Sequence, residues 1–264
     1  ARGACGFGLL AQNTKLDQAA NDQALYLAQN AGQNRPVGHN QVASYPGYTG
    51  VTPSDRAAFR GYSSSTVGEV FALSPTGGAT ANARIAGLMS VTYHMASIFD
   101  GWRDVGAADV LDPTKASAYA VSTINMASQG ANQLQAGNSV ATYPCEGTTV
   151  AWQNHGYETP DPIPGRDWAA KPGGMPILFQ VRSGQNIVLS SFSLKDAAGA
   201  SLPVAATLTA ANDPNRMLAP NQVVVIPENM LIRGGVYYVE ASGTNNGQAW
   251  SQNFKFTVAA SAPK

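Results

Sequence analysis

Charge is scarce in this sequence. Of 264 residues only 12% are Asp, Glu, Lys or Arg, and 16 acidic side chains balance 16 basic ones, so the formal net charge is zero. A nucleic-acid footprint or a polybasic membrane anchor needs clustered excess Lys and Arg, so neither is expected. Long apolar runs are missing as well: nothing approaches the roughly 18 consecutive apolar residues of a membrane-spanning helix, and a soluble chain is expected. Cysteine is almost absent. Cys5 and Cys145 are too few for a metal cluster and form no Cys-x-x-Cys pair, which leaves one disulfide or two buried thiols, the disulfide being the expectation. Closing so long a loop would stabilise by about 4 to 5 kcal/mol on the chain-entropy model. What the sequence does have is 44% hydrophobic residues, 27 Gly and 16 Pro. Such a chain can bury a sizeable core, with Asn, Gln, Ser and Thr supplying its polar exterior. It opens Ala1-Arg2-Gly3-Ala4 without an initiator Met, as expected of a mature exported chain or a trimmed one.

The two halves read differently. In the first, Leu16, Ala19, Ala20, Ala24 and Leu27 fall at helical spacing and predict a helix with one buried stripe. Thr52-Pro53-Ser54-Asp55 supplies a capping hydroxyl and an early carboxylate, predicting a second helix that ends at Gly61. A third is expected from about Ala81 to Ile98, followed by strands near 103–110 and 118–125. From Tyr143 onward the pattern becomes one of short strand-like segments at 176–181, 187–194, 204–208, 222–226, 236–241 and 253–258. Turn signals such as Asp196-Ala197-Ala198-Gly199, Asn212-Asp213-Pro214-Asn215 and Asn245-Asn246-Gly247 separate them. That rhythm predicts an antiparallel β-sandwich of roughly 120 residues. The Pro- and Gly-rich stretch 160–176 reads as an ordered loop or flap.

Three histidines occur in the chain. His39 follows the first helix in Pro36-Val37-Gly38-His39-Asn40, His94 lies late in the third in Thr92-Tyr93-His94-Met95, and His155 sits in Gln153-Asn154-His155-Gly156-Tyr157-Glu158. His155 reads as loop packing. Glu69 stands alone among small and apolar residues in Val67-Gly68-Glu69-Val70-Phe71. A carboxylate there is costly unless paired or hydrogen-bonded, and His39 and His94 are the expected partners.

These pieces, in this order, resemble the CAP superfamily: the cysteine-rich secretory, antigen-5 and pathogenesis-related-1 proteins, with SCP-like domains. The resemblance covers about 135 residues. It is carried by the Leu16 to Ala20 helix, Gly38-His39, Gly47-Tyr48-Thr49-Gly50-Val51-Thr52-Pro53-Ser54-Asp55-Arg56-Ala57, Gly61-Tyr62, Val67 to Ala72, the helix ending in His94, and Trp102-Arg103-Asp104-Val105-Gly106-Ala107. It implies an α-β-α sandwich whose cleft gathers two histidines and acidic residues, here His39, Glu69 and His94. Two departures stand out: Asn82 to Val91 carries no second carboxylate, and Leu88 replaces the Trp usual in bacterial members. The second half resembles the bacterial immunoglobulin-like modules that accompany such domains, through Tyr143-Pro144-Cys145-Glu146-Gly147, Pro160-Asp161-Pro162, Gly173 to Ile177 and a closing Trp250 to Thr257.

The expected class is therefore α+β, with a CAP-like α-β-α sandwich over 1–141 and an immunoglobulin-like all-β sandwich over 142–264. A Cys5–Cys145 disulfide would then staple one domain to the other. The expected role is non-enzymatic: a secreted or cell-surface binding or adhesion protein whose cleft of His39, Glu69 and His94 takes a lipid, sterol or glycan, with an extracellular protein as a further partner. No cofactor is required. Zn²⁺ on His39 and His94 is an option, because two imidazoles and a carboxylate form an adequate ligand set with one open position. The alternative is a metal-dependent hydrolase or protease with Glu69 as general base. A second alternative is a subunit of an extracellular filament or surface layer. Elsewhere chemistry is thin. Ser63-Ser64-Ser65 lacks a nucleophile elbow and reads as a polar turn, and Gly77-Gly78 and Gly234-Gly235 are turns rather than phosphate loops. Tyr45, Tyr48, Tyr62, Tyr93 and Trp102 suit either a ligand cleft or a core.

Overall fold

A computed structural model describes residues 1–33, 35, 37–64, 66–111 and 119–263; Pro36, Ser65 and residue 118, named above, lie outside them. The chain is mixed α and β and divides into two compact units. A helical unit comprises Leu9–Leu88 and Trp102–Gln133; a sandwich unit comprises Ala1–Gly8, Met89–Gly101 and Leu134–Pro263. This interleaved division differs from a single cut between 141 and 142.

The helical unit contains β1 (Ala11–Gln12), α1 (Thr14–Asn30), α2 (Pro53–Phe59), β2 (Val67–Pro75), α3 (Ala81–Leu88), β3 (Asp104–Leu111) and β4 (Tyr119–Ala127). Asn13 starts α1 by accepting from the amide of Lys15, and Thr52 and Asp55 form a reciprocal capping box at α2 with Pro53 in its first turn. The sheet runs β1-β3-β4-β2, antiparallel except for the parallel β1/β3 pair. Helices contact both faces. Ala24 and Leu27 of α1 pack with Val121 of β4, whereas Arg84 of α3 donates to Ser122 Oγ on the opposite face at 2.8 Å. At Gly106 in β3, an added Cβ would lie 2.0 Å from the backbone carbon of Leu16, so α1 rests directly on the strand.

The sandwich unit contains α4 (Thr92–Phe99), β5 (Ala141–Tyr143), β6 (Thr149–Val150), β7 (Ile177–Gln180), β8 (Ile187–Asp196), β9 (Val204–Thr209), β10 (Gln222–Pro227), β11 (Val236–Asn245) and β12 (Gln248–Val258). Its sheets are β5-β7-β10-β9 and β6-β12-β11-β8. Phe179 of β7 reaches Phe192 of β8 and Trp250 and Phe254 of β12, at ring separations of 6.2, 5.8 and 6.4 Å, so the two sheets share a core. Helix α4 lies against the first sheet: Gln180 and Gln222 donate to the carbonyls of Phe99 and Ala96 at 3.0 and 3.3 Å. Covered in this way, β10 is buried along its whole length and reads as a continuous apolar run rather than an alternation. Asn246 and Gly247, both at positive φ, form the tight β11–β12 turn.

Two expectations need correcting. The long third helix is two helices, α3 and α4, interrupted at 89–91, where Val91 is extended. The disulfide Cys5–Cys145 is present, with 5.5 Å between Cα atoms, but both cysteines belong to the sandwich unit, so it does not staple one unit to the other. It fastens the N-terminal segment, whose Arg2 guanidinium donates to the carbonyls of Phe7, Ile98 and Asp100 at 2.7, 2.7 and 2.8 Å and so holds the last turn of α4.

Candidate functional site

The residues expected to form one site are distributed over both units. In the helical unit, Glu69 stands on β2 facing α1, with its side chain fully buried. Its Oε1 accepts from His39 Nδ1 at 3.1 Å, and its Oε2 accepts from Arg56 Nη2 at 2.7 Å. Asn125, opposite Glu69 on β4, adds a third donor at 3.0 Å when its amide is turned to satisfy both neighbours, its oxygen then accepting from the amide of Ala20 at 3.2 Å. Arg56 is equally buried, and also donates to the carbonyls of Gly50, Val51 and His39 at 3.3, 3.1 and 3.0 Å. The carboxylate therefore pairs with one imidazole and one guanidinium, rather than with two imidazoles as expected.

Helix α1 and the loop after it set the position of His39. Gln23, buried on α1, donates to the carbonyl of Gly38 at 2.8 Å and accepts from Gln41 at 3.0 Å, while the amide of Gln41 donates to Val51 at 2.9 Å. The imidazole is 47% exposed and sits edge-on to Phe71 at 4.8 Å. With Nδ1 engaged by Glu69, Nε2 is the ring nitrogen left for another partner.

His94 belongs to the sandwich unit and has a different carboxylate. Val91 offers α4 no side-chain cap, and the first amides of the helix are captured by the 154–161 loop. Thr92 N donates to His155 Nε2 at 3.2 Å, Tyr93 N to both oxygens of Glu158 at 2.9 and 3.0 Å, and His94 N to Glu158 Oε1 at 2.9 Å. His94 Nδ1 donates to the same Oε1 at 2.6 Å. A carboxylate at a helix N-terminus is favoured by the orphan amides and by the helix dipole. Beside it, the hydroxyl of Tyr93 donates to Asp213 and accepts from Asn215 at 2.9 Å. Burial and the neighbouring Asp213 push the Tyr93 phenol up. Burial alone would raise the Asp213 carboxyl, but donors from Tyr93, Leu218, Asn215 and Met217 outweigh it and hold the group below its ordinary value. His155 stacks on Trp168 at 4.4 Å, and burial lowers its affinity for a second proton.

Glu158, Arg56, Gln23 and Asn125 are the participants that sequence reasoning missed. Glu158 had a visible signal: an acidic residue beside a histidine in a chain with so few charges. Arg56 lay in the quoted 47–57 run, where nothing marks it as buried. Among the described residues, no group of three or more His, Cys, Asp or Glu is placed to hold a metal ion. The surroundings of Glu69 also suit Zn²⁺ poorly, because the oxygen a metal would need is held by a guanidinium already carrying the compensating charge. Compared with models of known protein families and with curated protein sequences, the chain matches none.

Proposed function

We propose that the chain is a non-catalytic binding protein of the secreted or cell-surface kind, with a CAP-like helical unit and an immunoglobulin-like sandwich unit acting as a spacer or interaction module. The observation that carries this reading is the state of Glu69. A general base needs an oxygen within reach of substrate or water, whereas both oxygens of Glu69 are engaged inside the protein and its charge is matched by buried Arg56. What remains for a ligand is the His39 imidazole, with Nε2 turned away from Glu69 and the ring of Phe71 at its side. An imidazole nitrogen beside an aromatic ring suits a hydroxyl, which can donate or accept, on an apolar or glycan scaffold, and the resemblance points to sterols, other lipids or glycans. The disulfide supports an oxidising, extracytoplasmic setting.

Binding to sterol, phospholipid and glycan arrays, measured for the wild type and for His39→Ala, tests the proposal. Retention on one class, weakened in the variant, is expected. Retention on none, or retention indifferent to His39→Ala, refutes the assignment of the ligand to this imidazole.

A further inference from the structure

The protonation state of His155 is fixed by its partners. A backbone N–H can only donate, so His155 Nε2, 3.2 Å from Thr92 N, must present its lone pair. The ring proton is then on Nδ1, which donates to the carbonyl of Gly156 at 2.6 Å. The residue is 2% exposed. A second proton on Nε2 would set two N–H groups against each other, with the Thr92 hydroxyl at 3.0 Å and the Glu158 carboxylate, farther off at 3.9 Å, as the acceptors nearest it. Helix α4 has no cap of its own to replace what is lost.

The charged groups around the ring pull in both directions. From the same stretch of chain, Glu158 Oε2 lies 3.9 Å from Nε2, and Asp161 and Arg166 act at longer range. From the α4 side, His94 is bound to Glu158, and Tyr93 is tied to Asp213 of the β9–β10 connection. The two carboxylates favour an imidazolium and Arg166 opposes it. Burial opposes it most strongly and prevails, so the folded chain holds the second proton less readily than the unfolded chain does.

We propose that this joint is an acid-sensitive latch: a second proton on His155 removes the acceptor that holds the Thr92 amide at the start of α4, loosening Thr92 from the 154–161 loop. The sign follows from the direction of the shift. The latch is fully closed above the ordinary histidine value of about 6.5 and opens as pH falls below it, through the lower value of the folded protein.

Nuclear magnetic resonance on the full chain, from about pH 8 to about pH 4, tests this by following the His155 ring and the hydrogen exchange of the Thr92 amide. His155 should titrate below the ordinary histidine range. Thr92 protection, corrected for the intrinsic pH dependence of exchange, should fall about two- to tenfold through the same midpoint, the worth of one net hydrogen bond. In His155→Gln the side-chain amide offers Thr92 an acceptor and Gly156 a donor, so protection should persist at neutral pH and the step should vanish. Thr92 protection that stays constant while His155 titrates overturns the proposal, as does the same step surviving in His155→Gln. If that variant does not fold, the coincidence of the two midpoints in the wild type decides. The test involves neither His39 nor any ligand, so its outcome is separable from that of the binding arrays.

Discussion

Glu69→Gln keeps the shape of the side chain and removes its charge. The buried guanidinium of Arg56 would then be left with neutral acceptors only: the carbonyls of Gly50, Val51 and His39 and the new amide. Breaking a buried ion pair by removing one partner costs about 3 to 5 kcal/mol, largely through the stranded charge. Three carbonyls already solvate Arg56, which places the expected loss near the lower end, about 3 kcal/mol. Domains of ordinary stability, about 5 to 15 kcal/mol, survive such a loss, so the variant should fold and be measurable. Urea unfolding followed by circular dichroism at the helical band suits the site, because α1, α2 and α3 all lie in the helical unit. The double variant Arg56→Met with Glu69→Gln removes the stranded charge, and should fall short of the sum of the single losses by at least about 1.5 kcal/mol. A loss in Glu69→Gln below about 1 kcal/mol, or strict additivity in the double variant, would refute the reasoning that the pair is an internal structural element.

Three further outcomes are expected. Gly106→Ala forces a methyl group against the backbone of Leu16 and should destabilise the helical unit by about 3 kcal/mol or more, read from the urea midpoint; a neutral effect would mean that α1 can lift off β3 freely. Reducing Cys5–Cys145, which spans 140 residues of sequence, should lower stability by about 5 kcal/mol on the chain-entropy model, measured by denaturation with and without a phosphine reductant; an unchanged midpoint would contradict its role as a fastener. Calorimetric titration with Zn²⁺ should show no submicromolar site, and tight binding abolished by both His39→Ala and His94→Ala would overturn the argument from Arg56.

Elements specified by their own residues were legible in the sequence. The stripe from Leu16 to Leu27 marks α1, and Thr52-Pro53-Ser54-Asp55 carries its own capping box for α2. In the second half, turn chemistry such as Asn246-Gly247 delimits strands whose apolar residues meet across the two sheets. Features set by distant partners were not legible. The break before α4 depends on His155 and Glu158, more than 60 residues away, which accept the amides that a continuous helix would have paired internally. The partners within the candidate site were hidden for the same reason. His39 and Glu69 meet as expected, but the second partner of Glu69 is an arginine whose burial is decided by the 38–51 loop folding over it, and the carboxylate of His94 comes from beyond residue 141. Two-residue strands such as β1 and β6 carry too few residues to show a period.

The interleaving of the two units also governs when each can be finished during synthesis. Ala1–Gly8 and Met89–Gly101 leave the ribosome well before the strands they pack against, since the partners of α4 on β7 and β10 lie at Gln180 and Gln222. At about 5 to 20 residues per second, Arg2 waits about ten to forty seconds for β10 to be made. Until those strands are made α4 has its apolar side uncovered, and until Cys145 is made Cys5 is a thiol without its mate. A chain truncated at residue 141 would prolong that state indefinitely, because the first half so defined contains segments that only the second half completes.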